Sequence, residues 1–380
     1  MSRLTVLAAM SGGVDSAVAA ALLAEQGHSV TGVTLKLWCY GKSPSSPRAC
    51  CTLDAIDDAR SVARRMNFPH FVIEAEEVFR ERVLQPFLDA YAHGRTPYPC
   101  ALCNQHLKFG DLVTRMELIG ADRLATGHYA RVERSSDGTY GLYRAADRAK
   151  DQSYALAFVP YGVLPRVVFP LGDLDKDLVR KHAERLKLRV WDKVESQDLC
   201  FVPDGDYAGF ITGTLGERRG TEPGRFVDLE GRRLGAHRGI LHYTVGQRRG
   251  LGVSSSEPLY VVSIDPASHT VTLGNRRALE SPGLVTEPMN WLIPGPPEPG
   301  ASVEVQIRYH HVPARARVYP REDGGAEVRF EEPQLAVTPG QSCVLYDGDR
   351  VLGGAPIDHA VPRPGGLAPN PTAVQLAVTP

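Results

Sequence analysis

Seven cysteines occur among the 380 residues of this chain, and three of them, Cys100, Cys103 and Cys200, stand in segments suited to chemistry. GRTPYPCALCNQHLKFG at 94–110 sets Cys100 and Cys103 behind two prolines, and Leu107 and Phe109 predict a helix or turn beginning near Asn104. Cys103 would then lie near a helix N-terminus with Lys108 close in sequence. Both features lower a thiol pKa and raise its thiolate fraction. ESQDLCFVPDGDYAGF at 195–210 puts Cys200 ahead of a turn-rich segment. Any one of these thiols also reads as a small buried hydrophobe. An odd cysteine count with no export signal argues against a disulfide framework and leaves reduced thiols, metal ligation or sulfur chemistry open.

A second chemical segment is AMSGGVDSAV at 9–18. An apolar run (4–9) precedes it and an alanine- and leucine-rich helix follows, so backbone N–H groups gather at a helix N-terminus, where a phosphate is well placed. Gly12 and Gly13 can take positive φ and admit the phosphate close to the backbone. Ser11 and Ser16 can donate from their hydroxyls. The lysine of GxxxxGK[ST] is missing, so this is not a Walker loop. A plain capped strand–helix turn is the alternative.

The elements that must position these groups follow from periodicity. Strands are expected at 4–9, 28–38, 68–73 and up to about Thr126. Helices are expected at 16–26, 52–66, about 80–93 and 174–186. Strands alternating with helices predict a parallel, doubly wound α/β sheet, whose ligands sit at the carboxyl ends of the strands. The texture changes after Cys200. The expected division is an N-terminal domain carrying the chemical segments above (1–205), a small central domain (206–280), a C-terminal β-barrel (281–360) and a disordered tail (361–380), with PGPPEPG at 294–300 as a boundary loop. Net charge is −1, from 43 basic and 44 acidic residues, so nucleic-acid binding would need a local basic surface. No apolar run spans a bilayer, and MSRLTVLAAMSGG reads as a first strand rather than a signal peptide. A cytoplasmic, non-membrane protein, monomeric or weakly oligomeric, is expected.

SGGVDS resembles the pyrophosphatase loop (PP-loop) of the ATP α-hydrolases, in which the turn holds the pyrophosphate end of ATP. The wider set MSGGVDS, GRTPYPCALCNQHLKF, ATGHYAR, KDQSYAL, FPLGDLDK, LCFVPDGDYAGF, HYTVGQRRGLG, IRYHHVPARA and AVTPGQSCVLYDG resembles the tRNA-specific 2-thiouridylase (MnmA/TrmU) family over nearly the whole chain. The resemblance implies ATP-dependent replacement of the C2 oxygen of the wobble uridine (U34) by sulfur, through an adenylated base. It assigns a persulfide to Cys200 and the partner nucleophile role to Cys103. Either the persulfide's outer sulfur attacks C2 and Cys103 then closes a disulfide, or Cys103 releases hydrosulfide. ATP would lie on Ala9, Met10, Ser11, Gly12, Gly13, Val14, Asp15, Ser16, Leu35 and Gly127, with Asp15 organising the loop or a Mg²⁺ that ATP chemistry brings.

The same resemblance places the flipped base on Tyr98, Pro99 and Cys100, and other tRNA contacts on His128, Lys150, Asp151, Gln152, Arg308, Tyr309 and Gln341. RYHHVPARARVYPR at 308–321 supplies arginines interleaved with aromatic rings, which suits single-stranded loops. HYTVGQRRGLG at 242–252 is read as an RNA grip or as a turn. Cys100 stands where familiar bacterial members carry an aspartate, so a carboxylate proton-transfer role is in doubt. Cys100, Cys103 and Cys200 form an alternative ligand set for a [4Fe–4S] cluster with one open iron. The expected partners are tRNA and a cysteine desulfurase or sulfur carrier. The rival readings are another PP-loop adenylating enzyme, such as an amidoligase, and a non-catalytic tRNA-binding protein. No role is assigned to Cys39, Cys50, Cys51 or Cys343.

Overall fold

The structure is a computed structural model and describes residues 3–37, 53–193, 199–202, 206–215 and 220–363. Cys39, Cys50 and Cys51, and nearly all of the expected tail, lie outside the described residues.

The N-terminal part is a five-stranded parallel sheet. Strands β1 (Thr5–Ala9), β2 (Ser29–Lys36), β3 (His70–Glu74) and β4 (Arg123–Ala125) belong to it, and Val167–Val168 is its last member. The order is β3–β2–β1–β4 and then Val167–Val168. Helix α1 (Val14–Glu25) and helix α2 (Leu53–Arg65) connect the first three strands. Together with the helix Lys176–Arg185, they bury Val14, Ala17, Val18, Ala59, Val62, Val179 and Ala183 against Val6, Ala8 and Val30 on one face of the sheet. The opposite face carries Leu7, Val33 and Leu124 against Ala101, Phe109, Leu112 and Met116. Alternate residues of β1 thus feed two cores, as a doubly covered parallel sheet requires. Chain order reverses between β1 and β4, so the crevice for a ligand opens at their carboxyl ends.

The C-terminal part is a barrel of six strands. Glu280–Thr286, Ala326–Leu335, Ala314–Pro320, Ala301–Gln306, Ser342–Asp347 and Arg350–Val361 pair in that order, and the last pairs again with the first. Closure leaves no open edge within the ring. Its interior holds Leu284, Val305, Val318, Val328, Leu345 and Ile357. PGPPEPG joins two strands of this one sheet and so marks no domain boundary, because the first barrel strand begins at Glu280. Between the two parts lies a four-stranded sheet built from Gly224–Val227, Arg233–His237, Tyr260–Asp265 and Thr270–Gly274. Its own core contains Phe226, Ile240, Val261, Val271 and Leu273.

The strand expected to end near Thr126 is β4, which stops at Ala125, and the chain leaves the parallel sheet there. Residues β5 (Ala130–Arg134) and β6 (Tyr140–Arg144) form an antiparallel hairpin, and β6 pairs with the last barrel strand through Leu142–Val351 and Tyr143–Arg350. The N-terminal part is therefore stitched into the barrel sheet. Among the described residues no helix is long and apolar enough to cross a membrane.

Candidate active site

The turn after β1 is built as an anion cradle. Gly12 has φ +73, and a Cβ there would stand 2.2 Å from the carbonyl oxygen of Ala55 on α2. Only glycine meets both demands. Gly13 departs from expectation: as the residue preceding α1 it is extended, with φ −94, and no side chain caps the helix. The first N–H groups of α1 thus receive no cap from the side chain of the residue before them, and a helix N-terminus of this kind suits an anion. Ser11 N–H donates to Ser16 Oγ at 3.0 Å, the two hydroxyl oxygens are 3.2 Å apart, and Ser16 Oγ donates to the Gly13 carbonyl at 3.2 Å. These hydroxyls brace the turn. Gly127 approaches from β4 so closely that a Cβ would lie 2.5 Å from Ser16 N. Leu35 stands near the carboxyl end of β2, packed between two cores.

Two lysines reach the turn from elsewhere in the chain. Lys176 Nζ donates to Asp15 Oδ1 at 2.7 Å, and Tyr129 Oη donates to the same oxygen at 2.9 Å. Lys193 Nζ donates to the Gly12 carbonyl at 3.0 Å and to Asp58 Oδ2 at 2.8 Å. In a trans peptide the C=O and the following N–H point in opposite directions. Holding the Gly12 carbonyl outward therefore turns Gly13 N–H toward the opposite side. Asp15 thereby ties the turn to Lys176 and Tyr129. Gly12→Ala is expected to lower the melting temperature and to reduce ATP-dependent activity about 100-fold, since a shift of order 1 Å in a positioned group has that effect. A steady-state comparison of the two proteins checks this.

Cys103 does not begin a helix. Pro99, at the first helical position where its missing N–H costs nothing, starts a helix that runs through Pro99–Cys103, a π-helical stretch Asn104–Asp111 and Leu112–Leu118. Cys103 is its fifth residue, so the expected start near Asn104, and with it the N-terminal electrostatic benefit to the thiol, is not found. The π turn is a recurring mark of functional helices. Cys103 and Cys200, 97 positions apart in sequence, both pack against one apolar cluster that contains Phe79, Val83, Phe87, Leu107 and Phe201. Phe201 meets Phe79 and Phe87 edge-on at 5.5 and 5.2 Å, which fixes the residue next to Cys200. Cys343 is a free, fully buried thiol, pushed far up by burial alone. Among the described residues no three His, Cys, Asp or Glu side chains gather as a metal site.

Lys108 Nζ lies 3.4 Å from His128 Nε2, and His128 Nδ1 lies 2.7 Å from Thr126 Oγ1. Burial first, and then Lys108, hold the His128 pKa well below the ordinary imidazole value. A neutral ring accepting from Lys108 carries its proton on Nδ1 and donates to Thr126. Its ring centroid is 6.0 Å from those of both Phe109 and Phe169.

Of the residues expected at the target base and at the RNA, Tyr98 meets Tyr309 across the join to the barrel. Tyr98 stacks at 6.2 Å on Tyr309, and Tyr154 lies 5.3 Å from Tyr98 and 6.2 Å from Tyr309. Burial chiefly, with Cys100 next, raises the Tyr98 phenol well above its usual range, so it stays neutral. Pro99 is buried and Cys100 half-buried beside this group. Gln341 Nε2 donates to the Thr96 carbonyl at 3.0 Å, and Arg308 donates to the Leu335 carbonyl at 3.1 Å. Asp151 is turned inward, accepting from Ala145 N–H at 2.9 Å and from Ser153 Oγ at 2.7 Å. Gln152 Oε1 accepts from Tyr129 N–H at 3.0 Å. Lys150 is half-buried in the same loop. Sequence reasoning missed Lys176, Lys193 and Tyr129 as parts of the cradle. FPLGDLDK and ATGHYAR were singled out as segments, but nothing local ties either to Asp15.

Comparison with known proteins agrees with this geometry. The tRNA methyl transferase HUP domain family matches residues 4–204, the tRNA methyl transferase PRC-barrel domain family 212–275, and the aminomethyltransferase beta-barrel domain family 281–357. The chain is 48% identical over 365 residues to the tRNA-specific 2-thiouridylase MnmA of Geotalea uraniireducens, covering 94% of this chain and 96% of that protein. It is 47% identical to the enzyme of the same description from Magnetococcus marinus, covering 92% and 97%. Among solved structures, a 4-thiouridine synthetase–RNA complex with bound ATP is matched at TM-score 0.33 and 17% identity, over 53% of this chain and 46% of that one, too distant to carry an argument. The HUP, PRC-barrel and β-barrel parts thus occur in the order of the three sheets described above, and the chain belongs to the MnmA family of tRNA-specific 2-thiouridylases.

Proposed function

We propose that this protein replaces the C2 oxygen of the wobble uridine of tRNA by sulfur, using ATP and a Cys103–Cys200 thiol pair. One observation carries the proposal: two cysteines remote in sequence flank one apolar cluster in a family of RNA thiolases. The pyrophosphate end of ATP lies on the N–H groups at the start of α1. The uridine C2 oxygen attacks the α-phosphorus, an O–P bond forms, and pyrophosphate leaves. An amide-like oxygen is a poor leaving group, and AMP is a good one. The outer sulfur of a Cys200 persulfide then attacks C2, and AMP departs with the C–O electron pair. Cys103 thiolate attacks Cys200 Sγ, and the S–S electrons return to the sulfur now on C2. The products are a thiocarbonyl and a Cys103–Cys200 disulfide, which a thiol reductant of the cell reopens.

Tyr98, Pro99 and Cys100 would hold the flipped base, with Arg308, Tyr309 and Gln341 on the adjoining RNA. A cysteine desulfurase or its sulfur carrier would load Cys200. Mg²⁺ would arrive with ATP on its phosphate oxygens, since the described residues offer no gathered ligand set. The rival reading, a [4Fe–4S] cluster on Cys100, Cys103 and Cys200, would make thiolation depend on iron.

The test is nucleoside mass spectrometry of tRNA incubated with protein, ATP and a persulfide donor, alongside iron analysis. 2-Thiouridine formed one-for-one with AMP and pyrophosphate by iron-free protein is the expected result. Thiolation that requires stoichiometric iron and Cys100 would overturn the thiol-pair chemistry.

A further inference from the structure

The segment 242–252 was open to two readings, an RNA grip or a turn. The structure places its Thr244 in the wall of a cavity of about 370 Å³ where all three parts of the protein meet. Thr96 comes from the N-terminal part, Thr244, Tyr260 and Arg276 from the central part, and Arg308 and Gln341 from loops of the barrel part. Thr96 is the pin of this junction. Its hydroxyl donates to Thr244 Oγ1 at 3.4 Å, its N–H donates to the Pro339 carbonyl at 2.9 Å, and its carbonyl accepts from Gln341.

Several features mark the cavity as a site. Its volume lies within the roughly 300–1,000 Å³ of ligand pockets. Its described lining carries two guanidinium groups, a phenol and hydroxyls, with no carboxylate. Ala336, also in the wall, has φ +53, a left-handed conformation that a non-glycine residue adopts at a cost and that clusters at functional sites. Gly246 faces it at such close range that a Cβ would stand 2.8 Å from that of Ala336. Thr96 precedes Tyr98 by two residues, and Arg308 directly precedes Tyr309, so the cavity adjoins the Tyr98–Tyr309 stack.

Resting on the thiolase reading above, we infer that this cavity holds the ribose–phosphate of a nucleotide next to the wobble uridine. Arg276 meets its phosphate and Tyr260 lies against its sugar or base. A base flipped toward Tyr98 pulls its neighbours along the strand, and two guanidinium groups and a phenol lining one cavity are the chemistry that receives a single-stranded nucleotide. The central sheet then has a direct part in RNA recognition, which none of the residues assigned above provides.

The test is the affinity of Arg276→Gln and Tyr260→Ala for unmodified tRNA as a function of salt, with melting temperatures to report folding. Arg233→Gln, an exposed arginine of the same sheet outside the cavity, is the comparator. Arg276→Gln is expected to raise Kd about tenfold and to reduce the salt slope by about one, the mark of one lost phosphate contact. Tyr260→Ala is expected to raise Kd with the slope unchanged. An anticodon stem-loop RNA should show the same losses. Equal effects from Arg233→Gln, or an unchanged Kd and slope in Arg276→Gln, would overturn the inference. Wild-type protein that thiolates tRNA in the same preparation keeps the enzyme reading intact in that case, whereas wild-type protein that neither binds nor thiolates tRNA would sink that reading instead.

Discussion

Cys200→Ala will abolish thiolation while leaving ATP-dependent pyrophosphate exchange and tRNA affinity within about twofold of wild type, a difference under 0.5 kcal/mol. The thiol is half-buried at the edge of the cluster around Phe201, so removing one sulfur disturbs little packing. Cys103→Ala separates the two routes to the thiocarbonyl. If the outer sulfur of the Cys200 persulfide attacks C2, losing Cys103 stops the reaction with the RNA still attached to Cys200 through that sulfur. A protein–RNA adduct that a thiol reductant cleaves, releasing thiolated tRNA, is then expected on a denaturing gel. Release of hydrosulfide by Cys103 predicts no adduct in the same variant. Loss of tRNA affinity in step with activity in Cys200→Ala would remove Cys200 from the chemistry altogether.

Lys176→Met is expected to weaken ATP use about 100-fold. Asp15 stands in the first turn of α1, where the cradle must accept a polyanion, and Lys176 neutralises it at 2.7 Å. A bare carboxylate about 5 Å from a phosphate charge, at an effective dielectric of about 20, costs roughly 3 kcal/mol, or about two powers of ten. The ammonium side chain is only 10% exposed, so solvent screens the pair weakly. The double variant Asp15→Asn with Lys176→Met removes both charges and should regain at least tenfold of the lost ATP affinity. A double-mutant cycle on KM for ATP and on pyrophosphate exchange measures that coupling. Additive losses would mean that Lys176 acts on the nucleotide and not through Asp15.

How far the sequence discloses this molecule depends on how far apart the interacting residues lie. The turn at Ser11–Ser16 is legible because strand, glycines and helix are contiguous, and its one error, the φ of Gly13, comes from treating both glycines alike. The helix carrying Cys103 starts earlier than Leu107 and Phe109 predict, because Pro99 is itself a helix-start signal. Lys176 and Lys193 carry no local mark, since a lysine on a helix or loop looks the same whether it faces water or Asp15. The departure of β5 and β6 from the parallel sheet depends on a partner strand at the far end of the chain. Tyr98 and Tyr309 were both named as contacts of the RNA, but their stacking could not be read from positions 211 apart.

The pairing of β6 with the last barrel strand also sets a schedule for synthesis. Leu142 leaves the ribosome roughly 200 residues before Val351, its partner. At about 5–20 residues per second the hairpin waits on the order of 10 to 40 s for that partner. During this interval β6 presents an open strand edge, the feature that invites pairing with the wrong chain. The barrel likewise cannot close until Arg350–Val361 has been made, because that strand pairs with both neighbours that complete the ring. The newborn protein thus carries its nucleotide-binding half well before it can bring Tyr309 to Tyr98, and its final strand both closes the ring and caps the waiting hairpin.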